Sequence, residues 1–346
     1  MVQDDTLDAA LAELERFGPE LSNGFTNHAP MAAEALCALK RPDAVAPLLE
    51  RYRPLLLPRG RAQETIAPHA AIALLGRNRN PSDWEAFFAA QLAQKPWRMV
   101  LGEWAVLLAP GISAAAMHGA IRTGHAARAL TACENTLRLH ELAAALGYWA
   151  SCYRALPQSP HADPKLPPRE AIMAAPRIPP AERHHANSIS QSLLALDDFA
   201  PFGPVIHAAD VDTPNALSEI TETFARVFLA NARDPLSAIV FIHGVTGAAT
   251  LRAILPLLSE DESRAARAFA WQGGAALYAV YATKEPLRGD IAAPAGDHET
   301  LIDLAIESGD EHAVKFTEAC LREHALHPSP VYLAAARQAS RILAGT

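Results

Sequence analysis

The sequence predicts an all-α protein: a multi-helical bundle of packed helix pairs around a central cavity, with little or no β-sheet. Three observations carry this. Half of the residues are hydrophobic, and alanine and leucine, both good helix formers, dominate them. Apolar residues recur at helical spacing along most of the chain. Valine- and threonine-rich stretches of alternating polarity, which mark half-buried strands, are nearly absent.

Taken in order, "TLDAALAELERFG" reads as a helix that ends with Gly18 as its C-cap. "PMAAEALCALKRPD" and "DAVAPLLERYRP" form two short helices, broken at Arg41-Pro42 because proline clashes with the preceding turn. "PSDWEAFFAAQLAQKP" opens on the capping signal Ser82-x-x-Glu85. Longer helical runs follow in "TLRLHELAAALGYWASCYRAL", "NALSEITETFARVFLANARD", "PLSAIVFIHGVTGAATLRAILPLL" and "ESRAARAFAWQGGAALYAVYATK". Between them, "PQSPHADPKLPPREAIMAAPRIPP" holds eight prolines and cannot be one regular helix. It is a linker or a long ordered loop. The 346 residues are therefore read as one all-α domain, 1–346, or as two helical halves, 1–156 and 181–346, joined by the Pro-rich segment 157–180. No short repeat of fixed period is present, so a solenoid is not expected.

A net charge of −8 argues against nucleic acid or an anionic membrane surface as partner. Cys37, Cys133, Cys152 and Cys320 form no CxxC pair and read as reduced thiols of a cytoplasmic protein. The acidic, amphipathic "MVQDDTLDAALAELERFG" lacks the basic and then apolar pattern of a signal peptide. Charged residues or prolines interrupt each apolar run, so no membrane span is expected.

The chemistry has to come from the fourteen histidines. His161, His184, His185, His324 and His327 lie in polar or Pro-rich surroundings and read as solvated. His69 and His140 sit at element edges without partners, His298 opens a helix, and the role of His207 stays open. His28, His118, His243 and His312 stand apart. The first three lie in apolar or small-residue runs, and His312 shares a helix face with Lys315, one turn on. A single histidine on an apolar face is usually a hydrogen-bonded core residue. Several on separate helices fit a metal site assembled inside a bundle. No HExxH-type motif decides between these readings.

Four blocks add to this. "FGPELSNGFTNHAPMAAEALCALKRPD", "MHGAIRTGHAARAL", "FIHGVTGAATLRAI" and "SGDEHAVKFTEACLRE" together resemble the questin oxidase-like family. The resemblance implies an oxygenase that opens anthraquinone-type rings with molecular oxygen. It also implies a mononuclear non-haem iron held by four histidines and a carboxylated lysine. On this chain that pattern falls on His28, His118, His243, His312 and Lys315, and the cavity is then metal-containing. The expected partners are a small phenolic or quinone-like aromatic and O2. A reductant such as NADPH is compatible with this chemistry, although no motif in the chain points to one.

Imidazole nitrogens suit iron, and one anionic oxygen ligand lowers the charge of the ion. His125 lies two helical turns from His118, roughly 10 Å along the axis, so the two cannot easily share an ion. His118 is assigned to the metal, with His125 and Arg122 expected as catalytic, substrate-facing groups. Lys315 is expected to point inward, with Glu311 and Glu318 on the solvent side. Two alternatives stand beside this reading: a metal-dependent hydrolase with a carboxylated lysine, and a non-catalytic helical binding protein.

Overall fold

The computed structural model describes residues 2–160, 165–183 and 186–345. His161, His184 and His185 lie outside the described residues. The fold is all-α and multi-helical, and among the described residues the only sheet has two strands. The chain divides into two compact units, Met1–Arg154 with Thr250–Ser259, and Ala155–Ala249 with Glu260–Thr346.

In the first unit, the helices Ala29–Ala38 and Val45–Tyr52 are separated by a 3-10 turn at Pro42–Ala44, where proline was expected to break the run. The helix Pro81–Leu92 packs along Thr136–Cys152. Gly147 permits that approach, since a Cβ there would lie 2.9 Å from the Glu85 backbone nitrogen. Trp84, Phe87, Phe88 and Trp104 meet edge-on or stacked, with ring centroids 5.0–6.3 Å apart, and form the aromatic core. On the other side, His118–Ala132 lies against the same long helix. Gly119 lets the two backbones meet: an added Cβ would sit 2.6 Å from Trp149.

Two expectations are corrected here. Gly18 is not a C-cap: the first helix is Val2–Leu14, and Gly18 lies in the strand Phe17–Leu21, antiparallel to Leu56–Pro58. The cap of Pro81–Leu92 is Asn80, whose side chain accepts from the Ser82 backbone N–H. Pro81 then takes the first helical position, where its missing N–H costs nothing.

In the second unit, Ala216–Asn231, Pro235–Ala249 and Glu260–Tyr281 pack side by side. Phe224 stacks on Trp271 at 5.7 Å and covers Gly274, where a Cβ would lie 2.3 Å from its ring. Glu311–Leu326 and Pro330–Ile342 complete the layer, with Phe316 packed on Phe228 at 4.9 Å. Among its described residues, the Pro-rich stretch carries the short α-helix Pro168–Ala174, and Ile178 donates its N–H to the Ala279 carbonyl. These described residues belong to this unit.

One apolar run does reach spanning length. Pro235–Leu257 covers 23 residues, and its most apolar window has a mean hydropathy of 1.6 and is 78% buried inside the fold. Burial on all sides accounts for that composition, since a helix that is apolar all round needs protein or lipid on every face.

Candidate metal centre

His28 sits at the N-cap position of Ala29–Ala38, with Pro30 fixing the first turn behind it. His118 is the first residue of His118–Ala132. Both are buried, and their Nε2 atoms face each other at 2.7 Å with the rings 77° apart. The His118 Nδ1 lies 2.5 Å from the Ala115 carbonyl oxygen. A carbonyl can only accept, so this Nδ1 carries the proton and Nε2 presents a lone pair. Thr26 Oγ1 stands 3.3 Å from the same Nδ1 and 3.0 Å from the Tyr148 hydroxyl. Burial pushes the Tyr148 phenol up and keeps it protonated. Tyr52 reaches the His28 Nδ1 at 3.4 Å.

In the second unit, His243 lies on Pro235–Ala249, and Gly244 beside it lets that helix close on Phe224. The His243 Nδ1 donates to the Ile239 carbonyl at 2.6 Å, which leaves its Nε2 with a lone pair. Burial, and then the nearby His312 and Lys315, push its pKa well below the usual histidine value, so the ring is neutral near pH 7. Its ring centroid lies 5.7 Å from that of His312. His312 is placed by Asp310, which caps the helix Glu311–Leu326 by accepting from the His312 backbone N–H at 2.7 Å. The same Asp310 Oδ1 is 3.2 Å from the His312 Nδ1, and Glu311 Oε1 is 3.3 Å from it. Two carboxylate oxygens favour a proton on Nδ1 and again leave Nε2 as the acceptor.

Lys315 follows one turn later and is 3% exposed. Burial pushes its ammonium down to about 8, against the opposing pull of Glu311 and Asp310. Near pH 7 roughly one amine in ten is then neutral. Glu318, expected on the solvent side, is instead buried and pairs with Arg322 at 3.1 Å. Residues 312–320 are buried without interruption, so this part of the helix has no solvent side. Glu311 keeps partial exposure.

His28 and His118 in the first unit, and His243 and His312 in the second, are buried histidines that each offer one ring nitrogen to a metal ion. The donor set fits such an ion. His118, His243 and His312 each have Nδ1 held by a carbonyl or carboxylate, the arrangement that fixes tautomer and orientation in metal-binding histidines. Two nitrogens at ~2.1 Å from one ion and 90° apart lie about 3 Å from each other. The His28–His118 pair needs only a small movement to meet that spacing.

His125 and Arg122 occupy other positions. The His125 Nδ1 is 2.6 Å from Glu34 Oε2, and Arg128 donates to both oxygens of that carboxylate. Burial would raise the Glu34 carboxyl, but Arg128 and His125 overcome it and hold it at about 2. Arg122 is buried and bidentate on Glu141, at 2.6 and 2.7 Å. His207 is exposed at the end of Ala200–His207. His140, expected to be without a partner, lies 2.6 Å from Glu15, and His324, expected to be solvated, is half-buried and bonded to Ser329.

The residues that orient these histidines were not singled out from the sequence. Asp310 had a local signal, since an aspartate before a helix start is a common cap. Thr26, Tyr52 and Tyr148 had none. Thr26 reaches its partners across 92 and 122 residues of chain, and no spacing announces such contacts.

No curated protein matches this chain. A family profile described as questin oxidase-like matches residues 25–320. That match supports an oxidoreductase, an oxidase or oxygenase acting on a small molecule, and it spans His28, His118, His243, His312 and Lys315. The chain belongs to the questin oxidase-like family.

Proposed function

We propose that this protein is an iron-dependent oxygenase that cleaves a phenolic or quinone-type aromatic ring with O2. His28, His118, His243 and His312 would hold one mononuclear non-haem iron, and Lys315 would supply the fifth, oxygen ligand. The observation that carries the reading is the shared state of His118, His243 and His312. Each is buried, with Nδ1 engaged and Nε2 left as an acceptor. Core histidines that only fill space have no reason to share this polarity.

Bound iron would supply the one-electron chemistry that lets O2 react with a closed-shell aromatic. The rest falls to the chain. Neutral Lys315 can attack carbon dioxide through its nitrogen lone pair, forming an N–C bond and releasing one proton, to become a carbamate. That anion reaches further than Asp or Glu from the same backbone position. Asp310 and Glu311 hold the His312 ring, and the Ala115 and Ile239 carbonyls hold His118 and His243. His125, held by its Nδ1 beside the Glu34 carboxylate, would face substrate. Arg122 is assigned to hold Glu141 at the edge of the same helix pair.

Metal analysis of protein purified without a histidine tag tests the reading, together with oxygen uptake in the presence of simple quinols. About one iron per chain and quinol-dependent uptake are expected. Two zinc ions per chain would favour a hydrolase, and protein free of metal would leave a helical binding module.

A further inference from the structure

Three successive non-glycine residues, Ala115, Ala116 and Met117, have φ values of 48°, 53° and 68°. They form a left-handed turn immediately before His118, which returns to right-handed helical angles. L-residues visit this region singly and at a cost, because Cβ crowds the following carbonyl. A run of three persists only where the surroundings over-determine it, and such strain gathers at functional sites. Here the surroundings are visible. Met117 is buried against Met31 and Ile121, Ala116 is buried, and Gly119 is pressed on Trp149. The product of the turn is also visible: it carries the Ala115 carbonyl back onto the His118 Nδ1 at 2.5 Å.

We propose that the left-handed turn Ala115–Met117 is a positioning device for His118. It holds the Ala115 carbonyl on Nδ1, so that the ring is fixed in one tautomer with Nε2 turned toward His28. In a right-handed continuation the helix would begin earlier, and the Ala115 carbonyl would point along the axis to a backbone N–H. In the turn the Ala115 carbonyl instead accepts from both the His118 backbone N–H and the His118 ring. The absence of glycine from Ala115, Ala116 and Met117 is part of the device, because alanine and methionine restrict the alternatives that glycine would open. Ala115, Ala116 and Met117 are thus positioning residues whose value lies in strain rather than in contact with a ligand. The inference rests on the metal-binding reading of His118.

The test is the double variant Ala115→Gly/Ala116→Gly in the full-length protein, with three readouts. The first is Fe(II) affinity by chelator competition, without turnover. The second is the melting temperature of the metal-free protein. The third is the 15N shift pattern of the His118 ring in the metal-free protein, which separates the Nδ1–H and Nε2–H tautomers. Iron should bind about 10- to 100-fold more weakly, as when a residue that orients a metal ligand is lost. The melting temperature should stay the same or rise by about 1–3 °C, since glycine relieves the left-handed strain. The ring should change from a single Nδ1–H form to a mixture. Unchanged affinity would overturn the proposal, as would a fall in affinity accompanied by a fall in melting temperature, which marks a merely structural turn. If the unaltered protein binds no iron, the metal reading fails, and the tautomer measurement still decides whether the turn orients the ring.

Discussion

The Nε2 atoms of His28 and His118 face each other at 2.7 Å, in rings 77° apart, although 90 residues separate them in the chain. With Nδ1 of a neutral His118 protonated toward Ala115, its Nε2 accepts. Either His28 donates a proton into this contact, or a cation lies between the two lone pairs. The Tyr52 hydroxyl, 3.4 Å from the His28 Nδ1, is compatible with both states.

His118 and His125 share a helix but have different partners, and their variants should separate accordingly. His118→Ala should remove most bound iron and leave the fold intact. His125→Ala should keep iron and lose stability, by about 1–3 kcal/mol, because the buried Glu34 loses a hydrogen-bond partner. Metal content and urea unfolding of both variants check this; equal iron losses would contradict it.

Glu34 predicts the acid limb of stability. Its folded-state pKa of about 2 lies below the ordinary value of 4.5. Its contribution is therefore complete above pH 4.5 and fades as the pH falls from 4.5 toward 2. The loss is on the order of 3 kcal/mol. Unfolding free energies of Glu34→Gln should show a flatter acid limb than those of the unaltered protein.

Lys315 predicts the alkaline limb of the metal-free protein. Its folded-state pKa, about 8, lies below the ordinary 10.5, so the unfolded chain binds more protons in between and stability rises with pH across that window. Lys315→Met removes the burial of an ammonium. The variant should be more stable at pH 7, by up to about 3 kcal/mol. The advantage should shrink as the pH climbs from 8 to 10.5. The same variant should lose iron or oxygen uptake, with no rescue by bicarbonate; retention of both would remove Lys315 from the ligand set.

Arg122 and Glu141 form a buried bidentate pair. Removing one partner strands the other charge, so Arg122→Leu should destabilise by about 3–5 kcal/mol. Arg122→Leu/Glu141→Leu should recover much of this. A double-variant unfolding series measures the coupling directly.

The helical architecture was legible because amphipathic spacing and proline breaks act locally: Arg41-Pro42 ends one helix and Pro42–Ala44 forms the turn before the next. The strand at Phe17–Leu21 was not, since its partner, Leu56–Pro58, is distant in the chain and contains a proline. The cap moved to Asn80 because Pro81 suits the first helical position better than Ser82 suits the cap. Near the histidines, burial could be read from the apolar runs around His118 and His243. The groups that set their tautomers could not. The Ala115 carbonyl reaches His118 only through a left-handed turn that contains no glycine, and turn signals in sequence depend on glycine or asparagine. Glu318 was misplaced for a related reason: the stretch 312–320, buried on every side, gives its charged residues no solvent face, and Glu318 is held by Arg322 instead.

The central claim, one iron held by four histidines, is tested most directly by the iron content of His28→Ala, His118→Ala, His243→Ala and His312→Ala beside the unaltered protein. The account predicts about one iron per chain in the unaltered protein and a loss of at least about tenfold in affinity in every variant. Full iron content in the variants of either pair, His28 with His118 or His243 with His312, would contradict it.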